Sequence, residues 1–166
     1  MRRAMGISVH TGWAACVVVG GSHAKPEIVA NRIIEILAGA ERFCFHRAAD
    51  MKLAEAAKWI AVIGAQARVN AERALAPLLV LDPSTCAIVA KVGAAPDLAA
   101  VLGSHSRIHA AEGYFYRDIL QAACPLPSRV IPGASLDASR VGKLAAAPWG
   151  RDQKLAALAA WSMLRD

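Results

Sequence analysis

Ser8 and His10 are the first side chains with chemistry to offer, two residues apart in Gly6-Ile-Ser-Val-His10 within an otherwise apolar opening run. If that run is extended, alternation puts both on one face of a strand. A hydroxyl beside an imidazole is the start of a nucleophile–base pair, but the pair needs an acid to orient the imidazole, and spacing identifies none. The plainer expectation is two polar residues at the mouth of a strand. A second set is His105-x-x-x-His109-x-x-Glu112. On one helix, spacings of four and seven align three such side chains on one face, which suits a zinc ion. Gly103-Ser-His-Ser106 reads as loop, so His105 is expected to precede the helix, and the set stands only as a weak metal candidate against ordinary solvated histidines. A third spot is Pro148-Trp-Gly-Arg-Asp-Gln-Lys154, where Asp152 suits a helix N-cap and Arg151 and Lys154 add positive charge. Glu112 also opens Glu-Gly-Tyr-Phe-Tyr-Arg-Asp118, the most aromatic segment. Tyr114 and Tyr116 point to different faces of a helix, so at most one is core and the other is free for a ligand or a subunit interface.

The elements that must position these residues follow from hydropathy periods. Met5–Gly21 reads as one long strand, rich in β-branched and small residues, ending at a Gly-Gly-Ser turn and pairing as a hairpin with Glu27–Ile36. Glu41–Arg47 alternates well enough for a short third strand. A long helix is expected from Asp50, as N-cap, to Ala76 near Pro77, with Leu53, Ala57, Ile60, Gly64, Ala67, Ala71, Leu75 and Leu78 on its apolar face. Thr85–Lys91 suits a buried central strand. Helices over Pro96–Leu102, His109–Ala123, Ala138–Leu144 and Asp152–Leu164, with a strand over Ser128–Pro132, complete the pattern.

Composition narrows the classes. At 166 residues, one domain spanning 1–166 is expected, with room for a sizeable core. The hydrophobic fraction of 56% owes much to alanine, and charges or prolines interrupt every apolar run short of a membrane span. Met1-Arg-Arg before Ala14–Val19 resembles a secretory leader only faintly, because Ser8, His10 and Thr11 interrupt it, so a cytoplasmic protein is expected. Cys16, Cys44, Cys86 and Cys124 are widely spaced and suit free buried thiols in a reducing compartment. The net charge of +6 suits a polyanionic partner, but its scatter along the chain equally suits a generally cationic surface. Neither a P-loop nor G-x-G-x-x-G is present.

Strands first and then alternating helices and strands describe an α/β fold: a mixed sheet of about five strands, antiparallel at one edge and parallel after the crossovers. With Gly6-Ile-Ser-Val-His10 and the downstream Gly12, the strands Cys86–Ala90 and Arg129–Pro132, and the last helix carrying Asp152 before Leu155-Ala-Ala-Leu-Ala-Ala160, the chain resembles the ribonuclease H-like superfamily, and within it the RuvC-type resolvases. That resemblance implies carboxylates on strand one, at the end of the central strand and on the last helix, together holding a pair of divalent metals. Residue by residue these positions fall on Ser8, on or near Lys91, and on Asp152. Asp50 and Glu55 match a further acidic position only loosely. With one ligand replaced by a hydroxyl and another by a cation, Mg²⁺ is not expected. The expected site is a cationic cleft lined by Ser8, His10, Lys91, Glu112, Asp152 and Lys154, in which Asp152 pairs with Lys91 or Lys154 and a phosphate or nucleic acid is bound without two-metal hydrolysis. A nuclease with ligands rearranged onto Asp50, Glu112 and Asp152, and a homo-oligomeric adaptor presenting its tryptophans and alanine-rich surface, are the alternatives.

Overall fold

A five-stranded mixed sheet in the order β3-β2-β1-β4-β5 is the frame of the protein, in a computed structural model that describes residues 2–137, 139 and 149–164. The expected helix over Ala138–Leu144 lies outside the described residues but for Ser139. β1 (Arg3–His10), β2 (Trp13–Gly21) and β3 (Pro26–Glu35) form an antiparallel meander, and β4 (Thr85–Val89) and β5 (Ser128–Ile131) add in parallel beyond β1. The run read as one long strand is therefore two. It folds back at Thr11-Gly12, where Gly12 takes a φ of 84° open to glycine at little cost, and its carbonyl accepts the amides of Ile36 and Leu37. β4 is interior, but the middle of the sheet is β1.

The segment expected as a third strand is instead a 3-10 turn (Gly39–Phe43) running into α1 (Cys44–Ala48). Its buried residues, Cys44, Phe45 and Ala48, follow helical spacing, so the aromatic alternation of Phe43 and Phe45 misleads. α2 (Leu53–Leu79) starts after Lys52 rather than Asp50 and runs through Pro77 into its last turn. Its buried face, Ala56, Ile63, Ala67, Ala71, Leu75 and Leu78, coincides with the expected one from Ala67 onward. The face is rotated in the first half, where Leu53 and Ala57 are exposed. α3 (Leu98–Leu102) is capped by Asp97, whose carboxylate accepts the Ala100 amide. α4 (His105–Ala123) begins at His105, four residues before the expected start. α5 (Arg151–Met163) has Gly150 as N-cap, so Asp152 sits inside the first turn and its carboxylate is free for other work.

Alternation along β1 sorts its side chains between two layers. Met5 and Ile7 join the larger core under α2 and α4, whereas Ala4 joins the smaller one formed with Ala156, Ala157 and Ala160 of α5. Gly6 lies on the α5 side too. A Cβ built there would stand 1.8 Å from the Ala156 carbonyl oxygen and 2.9 Å from the Ala160 nitrogen, both backbone atoms. The helix therefore rests directly on the strand, and a run of small residues on α5 makes that approach possible. All four cysteines are buried and free. Among the described residues no helix is long and apolar enough to cross a membrane.

Candidate functional site

The close approach of α5 to Gly6 sets the register of everything beyond it. Two residues further along β1 is Ser8, and one helical turn before Ala156 is Asp152. Two strand residues rise ~6.6 Å and four helical residues ~6 Å, so the two side chains arrive together. Ser8 Oγ donates to Asp152 Oδ1 at 2.8 Å, and His10 Nε2 stands 3.2 Å from Asp152 Oδ2. The acid missing from the Ser8–His10 pair is thus Asp152, 144 positions away from Ser8. His10 is held flat against Trp13, its partner across the β1–β2 turn, with ring centroids 4.3 Å apart. At the other end, the Gly150 amide donates to Gln153 Oε1, and Gln153 Nε2 donates to Asn31 of β3, which fixes the first turn of α5 on the sheet.

The cluster is graded in exposure. Ser8 is 2% exposed, the Asp152 side chain 26% and the His10 side chain 49%. Its outer edge opens into a depression of about 200 Å³ lined by Val9, His10, Thr11, Ala90, Lys91, His109 and Gly113, beyond the carboxyl ends of β1 and β4. Lys91 is exposed on the loop that leaves β4. Arg117 of α4 pins that loop, donating from Nη1 to the carbonyls of Lys91 (2.8 Å) and Gly93 (2.7 Å) while its guanidinium contacts Asp118 and covers the Tyr114 ring.

Of the six residues expected in one cleft, Ser8, His10 and Asp152 come together, Ser8 by a hydrogen bond to Asp152 and His10 by a 3.2 Å contact with its other oxygen, and His10 and Lys91 share the depression. The other two do not join them. Lys154 is half-buried on the first turn of α5 without a polar contact to the cluster, and Asp152 pairs with Ser8 and His10 instead of Lys91 or Lys154. Glu112 is 1% exposed and turns inward, with Oε1 2.8 Å from His46 Nδ1. It is therefore not a third ligand in line with His105 and His109. His46 of α1, which no spacing in the sequence singles out, stands beside those two instead. Of the two tyrosines, Tyr116 is the core residue, its hydroxyl donating to the Arg42 carbonyl at 2.7 Å.

RuvC of Thermus thermophilus in complex with Holliday junction substrate matches 98% of this chain and 92% of its own, with a TM-score of 0.51 and 13% identity. A second Thermus thermophilus RuvC structure matches 96% of this chain and 92% of its own, with a TM-score of 0.50 and 12% identity. The fold is that of RuvC. No protein-family model and no curated protein matches the sequence.

The positions that the sequence resemblance leads one to expect as divalent-metal ligands are Ser8, on or near Lys91, and Asp152. The residues present do not fit a pair of Mg²⁺ ions, which take hard oxygen ligands and need several carboxylates to offset their charge. Ser8 brings a neutral hydroxyl whose proton is directed at Asp152, Lys91 brings a cation, and both Asp152 oxygens already face protein donors.

Proposed function

We propose that this protein binds nucleic acid, branched DNA being the first ligand to test, at the carboxyl ends of β1 and β4 and without two-metal hydrolysis of the phosphodiester. The observation that supports the reading is that Ser8 donates to one Asp152 oxygen while His10 faces the other, so the one carboxylate of the expected site is partnered by protein groups. Around it Lys91 and the exposed edge of His10 line the depression, and the chain as a whole carries a formal charge of +6. Such a rim attracts phosphate by charge and by N–H donation, the usual source of affinity for a nucleic-acid backbone. The Thermus protein's Holliday junction supports a branched ligand by analogy of fold.

Fluorescence anisotropy with four-way junction, duplex and single-stranded DNA across 50–200 mM salt tests the reading, with Mg²⁺ and Mn²⁺ cleavage assays on the same substrates. Binding is expected to weaken with salt. Lys91→Glu lowers affinity several-fold and flattens the log–log salt slope by ~0.9, the loss of one phosphate contact. Metal-dependent cleavage that disappears in Asp152→Asn would establish a nuclease instead. Absence of binding to every substrate at 50 mM salt removes the reading altogether.

A further inference from the structure

Three imidazoles from two separate helices meet at the outer end of α4. His105 and His109 lie one turn apart on its first turns, and His46 reaches them from α1. Their ring centroids are 4.6 to 5.3 Å apart, and one ring nitrogen from each lies within 4.8 Å of the others. The Nε2 atoms of His105 and His109 are only 3.0 Å apart. A tetrahedral ion bonded to nitrogen at 2.0–2.1 Å sets its ligand atoms ~3.4 Å apart, so small ring rotations bring all three nitrogens onto one centre. Three imidazoles gathered around one point gain little from each other, because a neutral pair makes at most one N–H···N bond and a protonated pair repels.

Glu112 supplies an independent second observation. It is a fully buried carboxylate, and its hydrogen bond is to His46 Nδ1 at 2.8 Å. Burying a carboxylate is costly unless it is partnered. A carboxylate beside Nδ1 favours the neutral tautomer with the proton on that nitrogen, in which the lone pair falls on Nε2. Histidines that bind metals commonly have a carboxylate in this position, which fixes the tautomer and raises the basicity of the ligating nitrogen.

We infer that His46, His105 and His109 form a site for one transition-metal ion of the zinc class, with Glu112 as a positioning residue acting through His46. An all-nitrogen donor set selects Zn²⁺, Co²⁺, Ni²⁺ or Cu²⁺ over Mg²⁺ and Ca²⁺. Because His105 and His109 are exposed, the fourth coordination position is open to solvent and takes water or an anionic oxygen. The ion clamps α1 to α4. His109 also lines the depression beside Lys91, so the ion stands on the rim of the cleft described above. The inference does not depend on nucleic-acid binding.

The test uses untagged, chelator-treated full-length protein. Zn²⁺ affinity is measured by competition with a chromophoric chelator, and Co²⁺ serves as the spectroscopic probe of geometry. One equivalent of Zn²⁺ is expected, unaffected by millimolar Mg²⁺, with intense tetrahedral Co²⁺ absorption and a melting temperature that rises with free Zn²⁺. His105→Gln and His109→Gln, at exposed positions that leave circular dichroism unchanged, each lower affinity at least 100-fold and remove the Co²⁺ spectrum. Glu112→Gln lowers affinity 10- to 100-fold while keeping that spectrum. If Glu112→Gln does not fold, the two histidine variants decide alone. Undiminished affinity in either of them, absence of a one-equivalent step, or an octahedral Co²⁺ spectrum overturns the inference.

Discussion

Ser8 and Asp152 lie at opposite ends of the chain, yet Ser8 Oγ donates to Asp152 Oδ1 at 2.8 Å with the serine almost wholly buried. The bond joins the middle strand of the sheet to the first turn of the last helix. It satisfies a hydroxyl that would otherwise be stranded under α5, and it occupies half of a carboxylate whose other half faces His10.

The first prediction tests that bond by a double-mutant cycle. A hydrogen bond to a charged acceptor is worth ~1.5–3 kcal/mol where buried, and partial exposure of Asp152 places this one at the low end. Ser8→Ala is expected to cost about 1.5 kcal/mol in urea unfolding. Asp152→Ala removes the same bond, so the double variant should fall about 1 kcal/mol short of the sum of the singles. Additivity within 0.3 kcal/mol would mean that the two side chains do not couple.

Glycines on two elements give a contrasting pair. At Gly6 a Cβ meets only backbone of α5, which cannot rotate away, whereas at Gly113 of α4 nothing lies within 4 Å. Gly6→Ala is expected to destabilise by about 3 kcal/mol, the upper part of the overpacking range. Gly113→Ala is expected to stabilise by ~0.5–1 kcal/mol, the difference in helix propensity. Thermal unfolding of both variants checks the pair, and a tolerated Gly6→Ala would refute direct helix-on-strand contact.

That pair also shows what the sequence could and could not convey. The sheet's antiparallel edge, the crossovers and the helices that became α3, α4 and α5 are legible, because β-branched runs and helical periods are local signals. The Thr11-Gly12 turn lacks an Asn-Gly or Asp-Gly signature, and Gly12 alone marks it in the sequence. His46 was hidden by Phe43 and Phe45, whose two-residue spacing suggested a strand where Cys44, Phe45 and Ala48 in fact bury one helical face. The Ser8–Asp152–His10 cluster depends on how closely α5 settles on Gly6, and so does the direction Lys154 takes on that helix. Both are matters of long-range packing that no local spacing encodes.

The buried thiol of Cys16 and phenol of Tyr116 predict an alkaline limit to stability. Burial pushes Cys16 well above its ordinary value of 9.0, with Cys124 adding to the effect. Burial likewise raises Tyr116 above 10.0, with Cys44 and then Glu112 adding to it. Both groups bind their protons more tightly folded than unfolded, so their contribution is fully present below the unfolded values and is lost as pH rises past them. The contribution of these two groups should therefore hold level near pH 8 and fall above about 9, with each group contributing a slope of at most ~1.4 kcal/mol per pH unit. Cys16→Val should flatten the first part of that decline. Stability unchanged from pH 8 to 10.5 would contradict it.

The last prediction rebuilds a carboxylate at the middle of the sheet. Ser8→Asp replaces a donor by an acceptor at the position facing Asp152 Oδ1, so two anions confront one another in a site that is 2% exposed on the strand side. Like charges in such a site repel, and one of the pair is forced toward its protonated form. In chelator at pH 7 the variant should lose about 2 kcal/mol more than Ser8→Ala does. A divalent cation bridging the two carboxylates relieves the repulsion, so 10 mM Mg²⁺ or Mn²⁺ should restore several degrees of melting temperature to Ser8→Asp. Ser8→Ala, which has lost the donor without gaining a charge, should not respond. Differential scanning fluorimetry of the parent and both variants, with and without metal, reads the result directly. If Ser8→Asp gains no more from Mg²⁺ than Ser8→Ala does, the Ser8 and Asp152 positions do not converge closely enough to share an ion.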